Sequence, residues 1–308
     1  MGRAKGGSSV GGGVVFAVLA SSVEGQMQAA LLVDSLRTFG GDLARCPVWL
    51  IQGGAVISSP RMKGQDGLRV IPQGFDRNLR KYIFSSKVSA CSQAEALAEK
   101  EGVSTLVWLS SHSLVLAPPE QFLLSGALRA ALRPVHIRNV GSPADEPIDA
   151  FWQKVYRAVG LDEAGYAVES LVDGELLRPY YNTHILSVDP SAGILRQWRD
   201  RFMALVSDES FQSAACEDAN HRIFLHQAVF SALVVKMLGR GGIRELPMEY
   251  SYPLHLHEQI PRDRAAGNLN QLVVPVYEDY YGIPEAIDEI EVLEPLGSWL
   301  KERLGLED

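Results

Sequence analysis

Two polar clusters in this 308-residue chain follow directly on apolar runs: Ser21-Ser22 after Val14–Ala20, and Ser110-Ser111-His112-Ser113 after Thr105–Leu109. Hydroxyls and an imidazole at the end of a buried strand can bond phosphate oxygens, and open α/β sheets bind ligands beyond the carboxyl ends of their strands. Ordinary turns use the same residue types. What sets the second cluster apart is its frame, "TLVWLSSHSLVLAPPEQFL": apolar strand, four polar residues, apolar stretch, Pro-Pro stop. Lys87 opens an expected helix, where the N-terminal amides also favour an anion. In "RPVHIRN", Arg133, His136 and Arg138 stand at strand spacing, with His136 and Arg138 on one face; a charged edge strand would read the same way. His255 and His257 alternate in "PLHLHE". Either one with His112 would suit a softer metal than Mg²⁺, but two ligands without a third do not make a site. Glu217 and Asp218 are the candidate general bases, and they would serve equally as N-terminal charges of the helix after them. Asp145-Glu146 adds a further acidic pair, and "VDGE" (residues 172–175) reads as a hairpin turn.

These residues need elements to position them. Val14–Leu19 predicts a strand buried on both faces. Met27, Ala30, Leu31, Asp34, Ser35 and Phe39 then fall at helical spacing until Gly40-Gly41. Val48–Ile51, Leu68–Ile71 and Thr105–Leu109 read as further strands, with a helix from about Ser86 to Lys100 before the last. This β-α-β-β-α-β order predicts an α/β fold with a mixed, mostly parallel central sheet flanked by helices and a Rossmann-like N-terminal half. Beyond it the pattern predicts short strands at Leu114–Leu116 and Pro134–Ile137, a strand at Tyr180–Val188, and helices at Phe151–Val159, Ile194–Leu205, Ala219–Leu238 and Trp299–Leu304. Residues 1–13, rich in Gly and Ser, read as a flexible tail before a single domain at 14–308.

Composition removes several classes of function. Lys plus Arg number 29 against 37 Asp plus Glu, with no basic stripe, which argues against a nucleic-acid partner held by its phosphates. Three scattered cysteines form neither a disulfide framework nor a zinc knuckle and point to a reducing, cytoplasmic setting. The apolar run Ala228–Leu238 is broken by Lys236 and falls short of the roughly 20 residues that a membrane span needs. Val14–Ala20 behind Arg3 and Lys5 imitates a leader, but the run is short and a helix follows at once, so it reads as a core strand. Gly11–Gly13 precedes the first strand instead of following it, which argues against a dinucleotide-dependent dehydrogenase.

Taken in order, these segments resemble the nucleotide-sugar glycosyltransferases of the glycosyltransferase-A fold. Val14–Leu19 with Ser21 matches the first strand and its nucleotide-contacting end, and Lys87 lies in the helix before the motif strand. "RPYYNTHILSVDPSAGILRQW" is similar to the family's "YFNSGVLLI" strand and helix, "EDANHRIFLHQAVFSAL" to its "DQ" helix, and "LPMEYSYPLHLHEQIP" to its late segment with a downstream His. The resemblance implies a nucleotide-binding half at 14–116, and an acceptor half at 117–308 whose C-terminal segment wraps the ligand edge. It implies a nucleotide-diphospho-sugar donor and an acceptor hydroxyl as partners, with contacts from Ser21, Lys87, Ser110, His112, Arg138, Asn182, Gln227 and His257. The chain departs from the family where Asp-x-Asp would stand: it has Ser110-Ser111-His112, and His226 replaces the aspartate of the "DQ" pair. No carboxylate there would hold Mn²⁺ or Mg²⁺. The expectation is therefore donor binding, and possible hexose transfer, without a carboxylate-bound metal; the alternative is a catalytically silent binding or scaffold protein that keeps the fold.

Overall fold

The computed structural model describes residues 13–53, 66–74, 82–216, 218–277 and 282–305. In chain order the elements are β1 (Val14–Ala20), α1 (Val23–Phe39), β2 (Val48–Gln52), β3 (Leu68–Pro72), α2 (Ser85–Lys100), β4 (Thr105–Leu109), β5 (Ala130–Pro134), α3 (Ala150–Val159), β6 (Val168–Glu169), β7 (Leu176–Leu177) and β8 (Tyr181–Val188). There follow α4 (Ile194–Ser207), α5 (Glu209–Ala215), α6 (Ala219–Leu238), β9 (Ile243–Glu245), β10 (Tyr250–Pro253), β11 (Val274–Val276), α7 (Gly282–Asp288) and α8 (Leu296–Leu304). The flexible-tail expectation for 1–13 lies, apart from Gly13, outside the described residues.

Seven strands form one mixed sheet in the order β3-β2-β1-β4-β8-β5-β9. All of its pairs are parallel except those of β8, which runs antiparallel between β4 and β5. The carboxyl ends of β1, β4, β5 and β9 therefore share one edge with the amino end of β8. Alternation along β1 explains the layering. Val15 and Ala17 face a core shared with α2, α3, α4 and α6, while Phe16 and Val18 face a second core shared with α1, Tyr250 and Val274. Apolarity on both faces of β1, β2 and β4 is what a sheet covered on both sides requires.

Helix α2 is clamped from behind. Gly193, at φ 68°, starts α4 and has no side chain with which to cap it. Glu95 of α2, its side chain fully buried, does so instead, accepting from the Leu195 and Arg196 amides at 2.9 Å each and from Arg196 Nε at 3.1 Å. Such charge-assisted bonds to the first-turn amides are worth more than neutral ones.

Some local expectations are corrected. Leu114–Leu116 is not a sheet strand; it lies beside β11 through single bonds from Leu114 to Pro275 and from Leu116 to Val273. The strand expected at Pro134–Ile137 begins earlier, at Ala130, and ends at Pro134. Met27, placed on the packed face of α1 by spacing, is 59% exposed. The hairpin reading of residues 172–175 agrees with the antiparallel pairing of β6 and β7. Among the described residues no helix is long and apolar enough to cross a membrane.

Candidate functional site

The carboxyl edge of the sheet carries two adjoining compartments. The first, about 340 Å³, lies between the β1–α1 junction and the end of β4, with Ser21, Ser22, Gly25, Ser110 and His112 in its wall. The second, about 270 Å³, lies over the start of β8 and the end of β5, with His136, Asn182, His226, Gln227 and His255 in its wall. Phe84, Lys87 and His184 line both.

At the first compartment, the buried apolar course of β1 ends at Ala20, and Ser22 caps α1 by accepting from the Gly25 amide at 2.9 Å. The open amides of that first turn, at the start of a 17-residue helix, favour negative charge. Across from them the β4 turn is locked from within. The buried Ser113 hydroxyl donates to the Ser110 carbonyl at 2.7 Å, and Ser110 Oγ lies 3.0 Å from His112 Nε2. The C-terminal segment reaches this turn, with the Tyr277 amide donating to the His112 carbonyl at 3.0 Å.

Lys87 sits on the boundary and is held there by a chain of bonds. Its Nζ donates to Thr183 Oγ1 at 2.9 Å, Thr183 Oγ1 lies 3.2 Å from His226 Nε2, and His226 Nδ1 lies 2.9 Å from the Ile223 carbonyl. A carbonyl only accepts, so the His226 proton is on Nδ1 and Nε2 takes the Thr183 hydroxyl proton. Burial, with Lys87 nearby, pushes the His226 pKa down to about 3. Phe84 completes the boundary at φ 62°, a left-handed conformation rare for a bulky residue, with its ring 4.3 Å from that of His226.

The second compartment is rich in neutral imidazoles. Burial, reinforced by Arg133 and His255, lowers the His136 pKa to about 3. Burial, then Lys87 and the neighbouring imidazoles, holds His184 well below its ordinary value, and its Nδ1 has no partner among the described residues. His255 is lowered to about 4 by burial and by His112. The rings of His136 and His184 stack at 5.6 Å. Asn182 faces this space but is engaged: Nδ2 donates to Ser251 Oγ at 3.0 Å, and Oδ1 accepts from the His184 amide at 3.0 Å. Among the described residues, Lys87 is the one Lys or Arg in either wall, and Glu24, exposed at the rim of the first compartment, is the one carboxylate.

Of the residues singled out in the sequence, Ser21, Lys87, Ser110, His112, Asn182 and Gln227 come together here. Arg138 does not. Its guanidinium bonds the Gly141 carbonyl and pairs with Glu175, while Asp173 accepts from its amide, so it belongs to the hairpin beside β6 and β7. His257 bonds Tyr252 at 2.7 Å, and its neighbour-but-one His255 faces the compartment instead. Asp218 caps α6 and contacts His221, in neither wall, and Glu217 lies outside the described residues. His184 and Thr183 belong to the site without being singled out by the sequence pattern. The two-residue period from Asn182 to His184 on β8 was the available signal for His184, whereas the partner of Thr183 is 96 residues away and leaves no local trace.

The donor set at the β4 turn consists of hydroxyls and imidazoles, which does not fit Mg²⁺ or Mn²⁺. Among the described residues no group of three or more His, Cys, Asp or Glu is arranged to hold a metal ion.

No protein-family model matches the chain, and no curated protein matches its sequence. Solved structures give distant likenesses. An active-site mutant of LgtC is 13% identical with a TM-score of 0.46, covering 85% of this chain and 86% of that one. The galactosyltransferase LgtC in complex with donor and acceptor sugar analogues is 13% identical with a TM-score of 0.45, covering 92% and 99%. The bifunctional glycosyltransferase WbbM is 10% identical with a TM-score of 0.48; the match covers 96% of this chain and 52% of that one.

Proposed function

We propose that the chain binds a nucleotide-diphospho-sugar, with the nucleoside in the compartment at Ser21, Ser22 and Ser110, the sugar in the compartment at Asn182, His226 and Gln227, and the diphosphate across Lys87. The observation that carries this is the boundary itself: one cation, shared by two adjoining compartments whose described walls hold no other Lys or Arg and no carboxylate except Glu24 at the rim. A dianionic bridge between two neutral groups fits that distribution. In transfer, the acceptor oxygen bonds to the anomeric carbon and the bond to the distal phosphate oxygen breaks. The nucleoside diphosphate leaves with the electron pair and carries off the acceptor proton, because imidazoles held neutral by burial are weak bases. Lys87 and the α1 amides stabilise the charge that builds on the leaving group. This reading is metal-independent.

A screen of UDP-, GDP-, ADP- and CDP-sugars by thermal shift, with and without Mn²⁺, tests it. At least one donor is expected to raise the melting temperature equally in both conditions, and silence across the set would remove the reading. Binding without release of nucleoside diphosphate would favour the silent scaffold, which the lack of a carboxylate base in the described wall of the second compartment supports. The C-terminal segment lines the second compartment at His255 and Leu256 and leaves space there, which supports a working cleft.

Thr183 supplies a graded version of the same test. Thr183→Val keeps the shape and the Lys87 charge but removes the hydroxyl that anchors it. Donor affinity is expected to fall about fivefold, roughly the worth of one neutral-acceptor hydrogen bond, as measured by calorimetry. An unchanged affinity would show that Thr183 does not position Lys87.

A further inference from the structure

One strand beyond the second compartment, the same edge holds a separate cavity of about 300 Å³ at the carboxyl ends of β5 and β9, against β6. Arg133 of β5 enters it and is only 7% exposed. Its Nε has no hydrogen-bond partner among the described residues. Burial pushes its pKa below the usual guanidinium range, while Glu245, Glu249 and Glu169 oppose that shift through their charges. Glu169 is already engaged by Arg264 at 2.9 Å, and Glu249 Oε2 is itself buried without a partner among the described residues. The cavity thus offers donors on Arg133 and Arg264, acceptors on Glu169 and Glu245, and an apolar surface on Leu171 and Met248. Leaving a buried guanidinium under-bonded is costly, so the arrangement asks for a ligand that completes it.

The chemistry of that ligand follows from the mixture. A phosphate or carboxylate would satisfy Arg133 but face Glu245 and Glu169. An amine would satisfy the carboxylates but face two guanidinium groups. A hydroxyl both accepts from an arginine and donates to a glutamate, and neighbouring hydroxyls on a ring do so together while the ring's C–H face packs on apolar side chains. The size is at the lower end for ligand sites, room for a single ring.

We infer that the cavity at Arg133, Glu245 and Arg264 is a saccharide-binding site, taking one hexose ring by its hydroxyls. That this hexose belongs to the acceptor rests on the transfer reading above, which makes the acceptor a carbohydrate instead of a protein or lipid hydroxyl. The location suits it, because Arg133 lies three residues before His136 of the second compartment on the same edge.

Saturation-transfer NMR on the full chain, with methyl glycosides of glucose, galactose, mannose and N-acetylglucosamine as probes, tests the site. At least one glycoside is expected to bind in the millimolar range, and binding is expected to weaken at least tenfold in Arg133→Met and in Glu245→Gln. The first variant replaces a buried charge by an apolar chain of similar length; the second alters an exposed residue and keeps the fold in any case. Lys87→Ala separates the two readings, since it is expected to weaken nucleotide binding about 100-fold and leave glycoside binding intact. Failure of every glycoside, or glycoside binding indifferent to both variants, overturns the proposal whatever the donor screen shows. So does Arg133-dependent binding of inorganic phosphate in place of the glycosides.

Discussion

Replacing Lys87 with alanine is expected to weaken donor binding about 100-fold and to abolish release of nucleoside diphosphate. Hydrogen bonds to charged groups contribute about 1.5–3 kcal/mol each, and every 1.4 kcal/mol or so is a factor of ten in affinity. Two features push the effect to the upper end. Among the described residues the walls hold no second Lys or Arg to take over the diphosphate. The ammonium is also pre-positioned by Thr183, so little freedom is lost when the ligand arrives. Structural damage is a poor explanation for such a loss, because α2 is fixed by Glu95, two turns further on. Calorimetric titration of wild type, Thr183→Val and Lys87→Ala should therefore give a graded series; the ligand-free melting temperature is expected to hold in Lys87→Ala and to drop in Thr183→Val, which leaves the buried His226 Nε2 without its donor. Equal affinity in wild type and Lys87→Ala would place the diphosphate elsewhere.

Mild acid is expected to destabilise the fold steeply. His136 and His226, both buried, are held neutral with pKa values of about 3, against an ordinary value of 6.5. Between those limits the unfolded chain binds a proton at each position and the folded chain does not, so stability rises with pH. The penalty is absent above 6.5 and grows as pH falls toward the folded value. Over pH 7 to 5 these two residues alone account for a loss of about 4 kcal/mol, a large share of a typical 5–15 kcal/mol. His184 and His255 act in the same sense. Glu95, raised by burial, acts in the opposite sense as its folded pKa is approached. Urea midpoints at pH 7 and 5 measure the difference, and His226→Gln should flatten the slope by about one proton. Identical midpoints at the two pH values would mean that these imidazoles are not held neutral.

The sequence displays what local pattern encodes and hides what the topology assembles. β1 and β4 are legible because strands covered on both sides must be apolar throughout. Leu114–Leu116 is equally apolar and reads as a strand, but the apolarity of Leu114 and Leu116 records burial in a cluster with Leu31, Tyr252 and Leu254, and burial does not require membership of a sheet. Ala130 and Ala131 carry weak strand propensity, so local pattern puts the strand at Pro134–Ile137 and hides the start of β5. At the site, Ser21, Ser110 and His112 are legible because each lies in the turn that directly follows a strand. Arg138 has the right charge at the right spacing, but it follows β5 in a turn where Glu175 and Asp173 claim it. The Lys87–Thr183–His226 chain joins three distant segments, and pairwise geometry of that kind has no signature in one sequence.

The Glu95 clamp has a bearing on how such a cleft can change over generations. Glu95 ties α2 to the start of α4, and Thr183 of β8 holds the Lys87 ammonium, so two contacts outside the β4 turn help to place that lysine. The turn in its own right is closed by the Ser113 hydroxyl and anchored by Tyr277. Substitutions at residues 110–112 touch neither the Glu95 contact nor the Thr183 contact. A lineage can thus vary the residues of that turn while the bonds that Glu95 and Thr183 make elsewhere stay in place.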